Sequence, residues 1–123
     1  MKQLLFIAFG GMAGSISRYL IQQFIVRNYA TLFPLGTFLV NIIGSLLIGI
    51  LLGLATRYQW MNQELRLLLV VGFCGSFTTF STFAFEGLEL LKDQQYILLF
   101  TYIGLSLLVG FLAVWLGFYL FKP

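Results

Sequence analysis

The densest chemistry in the sequence lies in Gly72-Phe73-Cys74-Gly75-Ser76-Phe77-Thr78-Thr79-Phe80-Ser81-Thr82-Phe83, where two glycines and five hydroxyls crowd an otherwise apolar stretch. Ser and Thr offer the backbone alternative hydrogen bonds, and Gly weakens helix continuity. A helix of this composition is expected to break locally. Backbone carbonyls freed by a break are hard oxygen ligands able to hold a small cation. Phe80 and Phe83 are three apart and share one helix face, with Thr79, Thr82 and Glu86 on another. An aromatic ring is negative on its face and positive at its edge. Ring edges can therefore contact an anion without a full charge that would trap it. Simple packing is the plainer alternative for any one of the fourteen Phe, and only the surrounding motif singles out these two.

Two further polar residues sit where apolar ones are expected. Arg18 lies inside an apolar segment, where a lipid-facing guanidinium costs at least about 2.5–3.5 kcal/mol. It continues the stripe of Gly10 and Gly14, four residues apart, so it points toward protein or a wet vestibule, unless it snorkels or pairs with a carboxylate. Asn41 follows Thr37 by four residues and shares its face near Ser45. A buried Asn serves either as interhelical glue, contributing about 0.6–2 kcal/mol, or as an amide donor to an anion. The chain has one cysteine, Cys74, and no histidine. That leaves no disulfide within the chain and argues against zinc sites and most acid–base catalysis.

The elements that position these residues follow from composition. Apolar residues make up 60% of the 123 and charged residues 9%, against about 25% charged in soluble domains. Four stretches long enough to cross a bilayer nearly exhaust the chain: about 3–26, 35–56, 65–91 and 96–121, forming one domain over 1–123. The N-terminal run is a first helix rather than a cleaved signal, because Arg18 is followed at once by more apolar sequence. Short loops imply that consecutive helices are antiparallel neighbours. Small residues at four-residue spacing, as in Ser45, Gly49 and Gly53 or Tyr102, Ser106 and Gly110, mark packing seams. No basic run exists, so nucleic acid is not an expected partner.

Taken together, these segments resemble the Fluc (CrcB) family of bacterial fluoride channels. The resemblance covers nearly the whole chain and rests on Gly10-Gly11-x-x-Gly14-x-x-x-Arg18, Gly36-Thr37-x-x-Val40-Asn41-x-x-Gly44 and Gly72-x-x-Gly75-x-x-Thr78-Thr79-Phe80-Ser81-Thr82-Phe83. Each alone would be weak; the combination is specific. The resemblance implies an all-α membrane protein of four transmembrane helices, the third broken mid-membrane, forming an antiparallel dual-topology homodimer in the bacterial inner membrane. It implies passive fluoride export that protects the cell, and no enzymatic activity. It implies a structural sodium ion at the dimer centre, held by the carbonyls of Gly75 and Thr78 from both subunits. The fluoride pathway would use Asn41, Phe80 and Phe83 with Tyr102, Ser106 and Thr37, a polar track of Ser81, Thr82 and Glu86, and Arg18 near a vestibule. The physical chemistry agrees. Fluoride is small and strongly hydrated, so a pore must replace its water with donors such as Asn amide, Ser and Thr hydroxyls and Tyr phenol.

Two other classes compete. A small multidrug exporter needs a membrane-embedded carboxylate in its first helix, where this chain has Arg18. A non-catalytic assembly subunit would explain the seams but not the Gly/Thr/Phe cluster. The charge pattern also bears on orientation. Lys2, Arg57, Arg66 and Lys122 fall on one side of the membrane, and Arg27 and Lys92, with Arg18 deeper, on the other. So small a bias does not fix one topology, as an antiparallel dimer requires.

Overall fold

The computed structural model describes residues 1–122. Three helices run without interruption: α1 (Lys2–Asn28), α2 (Leu35–Arg57) and α6 (Tyr96–Phe121). The third span is assembled from pieces. A short α3 (Gln63–Arg66) leads into a π-helical run, π1 (Leu67–Cys74), and then α4 (Gly75–Phe77). After Thr78 and Thr79 the chain resumes as α5 (Phe80–Lys92). All four spans are long and apolar enough to cross a bilayer, and the chain is a multi-pass membrane protein. The expected span limits agree with the helix ends to within two residues.

Local chemistry sets those ends. Pro34 precedes α2 directly, where its missing N–H costs nothing. The Asn62 side chain accepts the Leu65 N–H at 2.9 Å and starts α3. Gln94, at φ 59°, makes the tight turn between α5 and α6. An ion pair of 3.4 Å between Lys2 and Glu64 brings the start of α1 to α3, at the start of the third span.

The packing extends one expectation. Consecutive spans touch, but the closest pairings are alternate: α2 with α6, and α1 with π1 and α4. The reason lies in where the small residues meet backbone. On the first seam, Gly49 faces the Val114 carbonyl, and a Cβ at Gly117 would sit 2.7 Å from the Leu46 oxygen and 2.8 Å from the Ile50 nitrogen. On the second, Gly10 faces the Leu68 carbonyl, Gly14 faces Phe73 and Ser76, and a Cβ at Gly72 would lie 2.9 Å from the Gly10 Cα. Loops dictate which spans are tethered; in lipid, close backbone approach dictates which ones pack.

A small aromatic core of Leu90, Leu99 and Tyr102, with Phe33, Phe38 and Phe83 against it, ties α5 to α6 and α2. Outside it, large apolar side chains such as Phe9, Ile16, Phe100 and Phe111 stand exposed. That is the surface lipid or another chain covers.

Candidate functional site

The break is short, and the N–H groups of Thr78 and Thr79 both find partners. Thr78 (φ −82°, ψ 159°) and Thr79 (φ −148°, ψ 122°) are both extended. The N–H and hydroxyl of Thr78 both donate to the Cys74 carbonyl, at 3.1 and 3.0 Å. In a continuous α-helix the Thr79 N–H would bond the Gly75 carbonyl. Here it donates instead to Asn41 Oδ1 at 2.8 Å, while Asn41 Nδ2 donates to the Thr79 carbonyl at 3.1 Å. One side-chain amide therefore satisfies both backbone groups of an unwound residue, which in hydrocarbon would cost several kcal/mol each if left bare. Thr79 then starts α5, its hydroxyl accepting the Thr82 N–H at 3.2 Å. That is an N-cap.

On the other side of the break, the Ser76 carbonyl accepts from Arg18 Nε at 3.1 Å. The Ser76 hydroxyl lies 2.9 Å from the Gly11 carbonyl and 2.8 Å from that of Gly72.

Two cavities flank this region. The first, of about 370 Å³, is lined by Asn41, Gly75, Thr78, Phe80, Phe83 and Ser106 among others, and among the described residues no charged side chain lines it. The Ser106 hydroxyl is buried and has no hydrogen-bond partner among the described residues. Asn41 uses one of its two amide N–H groups on Thr79, so the cavity offers two uncommitted uncharged donors. Phe80 stands 79% exposed at its edge, its ring centroid 6.0 Å from that of Phe83.

The second cavity, of about 300 Å³, lies toward the loop after α1 and is lined by Gln22, Thr37, Glu86, Glu89 and Asp93 among others. Gln22 Nε2 donates to the Thr37 hydroxyl at 3.1 Å, and the Tyr102 hydroxyl donates to Glu86 Oε1 at 3.2 Å. Tyr102 is fully buried. Its ring meets Phe83 at 4.9 Å and Phe33 edge-on at 5.4 Å, so three rings in contact link the two cavities.

The residues singled out in the sequence thus divide. Asn41, Gly75, Thr78, Phe80, Phe83 and Ser106 share the first cavity, Thr37 and Glu86 the second, and Tyr102 joins them. Ser81 and Thr82 line neither cavity; both belong to the cap of α5, the Ser81 hydroxyl 3.4 Å from that of Thr79. Arg18 lies behind the break, on Ser76. Sequence reasoning missed Gln22 and Ser76. Gln22 carried a signal, being a polar residue one turn beyond Arg18 in the same apolar helix; Ser76 was one hydroxyl among five.

Fold and site together define a small polytopic membrane protein built around a broken helix whose backbone is held at Ser76 and Thr79 by side chains of its neighbours. Comparison with known proteins makes this specific. Residues 5–118 match the family described as CrcB-like protein, Camphor Resistance (CrcB), and the chain belongs to that family. It is similar to the fluoride-specific ion channel FluC of Gloeothece citriformis, 47% identical over 122 residues and covering 99% of this chain and 98% of the relative. The FluC of Phocaeicola vulgatus is 49% identical over 120 residues, covering 98% of each. That of Leptospira interrogans is 44% identical over 119 residues, covering 94% of each. The family is one of ion channels, not of enzymes, and these relatives and the four spans mark a multi-pass bacterial membrane protein.

Proposed function

We propose that this chain forms a fluoride-selective channel that lets fluoride leave the bacterial cytoplasm down its gradient and so protects the cell. The observation that carries this is the cavity at the break. Its lining combines an Asn amide, an unpartnered Ser hydroxyl and two Phe rings, with no Lys or Arg. Such donors replace a hydration shell without holding the ion so tightly that it cannot leave. The names of the relatives point to the same ion. Asn41, Ser106 and the edges of Phe80 and Phe83 form the core of the pathway in this proposal. Tyr102, Thr37 and Glu86 carry it on through the second cavity, and Ser81 and Thr82 flank it as a polar track. Arg18 stands near a vestibule.

The proposal includes a sodium ion on the carbonyls of Gly75 and Thr78. The residues fit such an ion. Asn41 takes the amide that would otherwise occupy the Gly75 carbonyl, and both residues line the cavity. Their oxygens are hard donors suited to a hard cation. When bound, the ion supplies positive potential that favours nearby anions. The proposal also includes an antiparallel homodimer, in which a second copy covers the open side of the cavity and supplies the other two carbonyls. The small Lys and Arg bias permits both insertions.

Protein reconstituted alone in liposomes should discharge a fluoride gradient and barely pass chloride; equal fluxes of both ions would contradict selectivity. For the dimer, Lys residues added to one terminus should lock orientation and reduce activity, and co-expression with the oppositely biased variant should restore it. Full activity of the singly biased protein would rule out the antiparallel arrangement.

A further inference from the structure

Arg18 sits ten residues, about 15 Å, before the end of α1 at Asn28. It lines neither the cavity at the break nor the one beyond it. Its partner is a backbone oxygen. In a continuous helix the Ser76 carbonyl would accept the Phe80 N–H, but the extended Thr78 and Thr79 separate the two residues. Arg18 Nε fills that vacancy at 3.1 Å, with a charge-assisted bond roughly twice as strong as a neutral one. A second tie reaches the same residue, since the Ser76 hydroxyl lies 2.9 Å from the Gly11 carbonyl. Gly11 and Arg18 are seven residues apart and so two turns along one face. Between them Gly14 packs directly on Ser76 and Phe73, with no room for a Cβ. From the opposite side α2 holds Thr79 through both ends of the Asn41 amide. The unwound backbone is therefore gripped on both flanks, Ser76 by α1 and Thr79 by α2, and only Phe77 and Thr78 lie between.

We propose that Arg18 is a positioning residue for the break: by holding the Ser76 carbonyl it fixes the path of residues 76–79 and so sets which backbone oxygens face the cavity. The consequence for sodium rests on the cation site proposed above. With the Ser76 oxygen engaged by a guanidinium and that of Thr79 by Asn41, the carbonyls of Gly75, Phe77 and Thr78 stay free, and of these Gly75 and Thr78 line the cavity. The same bond accounts for a cation in an apolar helix that does not trap the permeating anion.

The test uses the full-length protein and its variants R18K and R18Q. Amide hydrogen exchange is followed over residues 77–80 and over α6 as an internal control, with and without sodium, beside fluoride flux. Exchange at 77–80 should rise in the order wild type, R18K, R18Q, by at least tenfold in the last, with α6 unmoved. The sodium concentration that half-protects these amides should rise in the same order. Wild-type exchange at 77–80 in both variants, even with altered flux, would overturn the proposal and leave Arg18 a vestibule charge. If R18Q yields no folded protein, R18K against wild type decides the same question, since an ammonium one atom further along the side chain does not place its donor where Nε lies. Should sodium not change exchange even in the wild type, the cation site fails while the exchange order still decides the role of Arg18.

Discussion

The α2–α6 seam and the seam of α1 against the third span use the same device, glycine set against backbone, to different ends. Along α2 and α6, Gly49, Gly53 and Gly117 bring two uninterrupted helices together. Every backbone bond there stays within its own helix, and the seam needs nothing from side-chain chemistry. Along α1, Gly10 and Gly14 bring a helix against π1 and α4, which end in unwound backbone. Here close approach delivers hydrogen bonds: Arg18 and Gly11 to Ser76, matched by Asn41 of α2 on Thr79. The first seam is a frame. The second holds an irregular segment in a membrane, where it survives only if each polar group is met. Damage to the frame should cost folding, and damage to the clamps should cost function first.

The largest expected effect follows from the frame. Gly117→Val would push a side chain into the backbone of Leu46 and Ile50, destabilising the protein by about 3 kcal/mol or more. Loss of monodisperse protein, or a sharp fall in melting temperature in detergent, is the readout. A wild-type melt would mean that α2 and α6 approach less closely than these distances require. Next comes Asn41→Ala, which strips partners from both the N–H and the carbonyl of Thr79. Each unsatisfied group costs about 1–3 kcal/mol. Fluoride flux should collapse and exchange at Thr79 should rise while α2 and α6 stay protected. Uniform loss of protection throughout the chain would move Asn41 from clamp to frame. The smallest effect is expected at Gly87 of α5, where a Cβ would meet only Leu99 Cδ1 at 3.6 Å. Gly87→Ala should be neutral or stabilise by up to about 1 kcal/mol through helix propensity, with flux unchanged. Marked destabilisation there would show that glycines outside the seams are also under close contact.

The sequence carried the spans well and the clamps only in part. Span limits were legible because apolar length is a direct consequence of bilayer thickness. The break was legible because Gly75 beside Thr78 and Thr79 weakens a helix locally, by composition alone. What lay beyond reach was partnership. A stripe such as Gly10, Gly14 and Arg18 shows which face is small, but not which helix lies against it, so alternate pairing had to come from the structure. The partners of Arg18 and Asn41 are backbone atoms of Ser76 and Thr79, and a backbone atom leaves no mark in a sequence. The π-helical run at Leu67–Cys74 shifts the rotational phase of the residues after it, so faces drawn with α-helical spacing do not carry across it. Asn41 had two sequence readings, glue and donor. The structure shows the glue directly and leaves one N–H for the donor.

The central claim is that the cavity at the break is the fluoride path, and Phe80 and Phe83 test it most directly, because neither side chain makes a hydrogen bond that holds the fold. Phe80→Ile and Phe83→Ile keep much of the apolar volume and remove the ring quadrupole. Each should melt within a few degrees of wild type yet slow fluoride efflux from liposomes at least about tenfold, equivalent to roughly 1.4 kcal/mol of barrier. Wild-type efflux in both folded variants would contradict the account and return the two rings to packing.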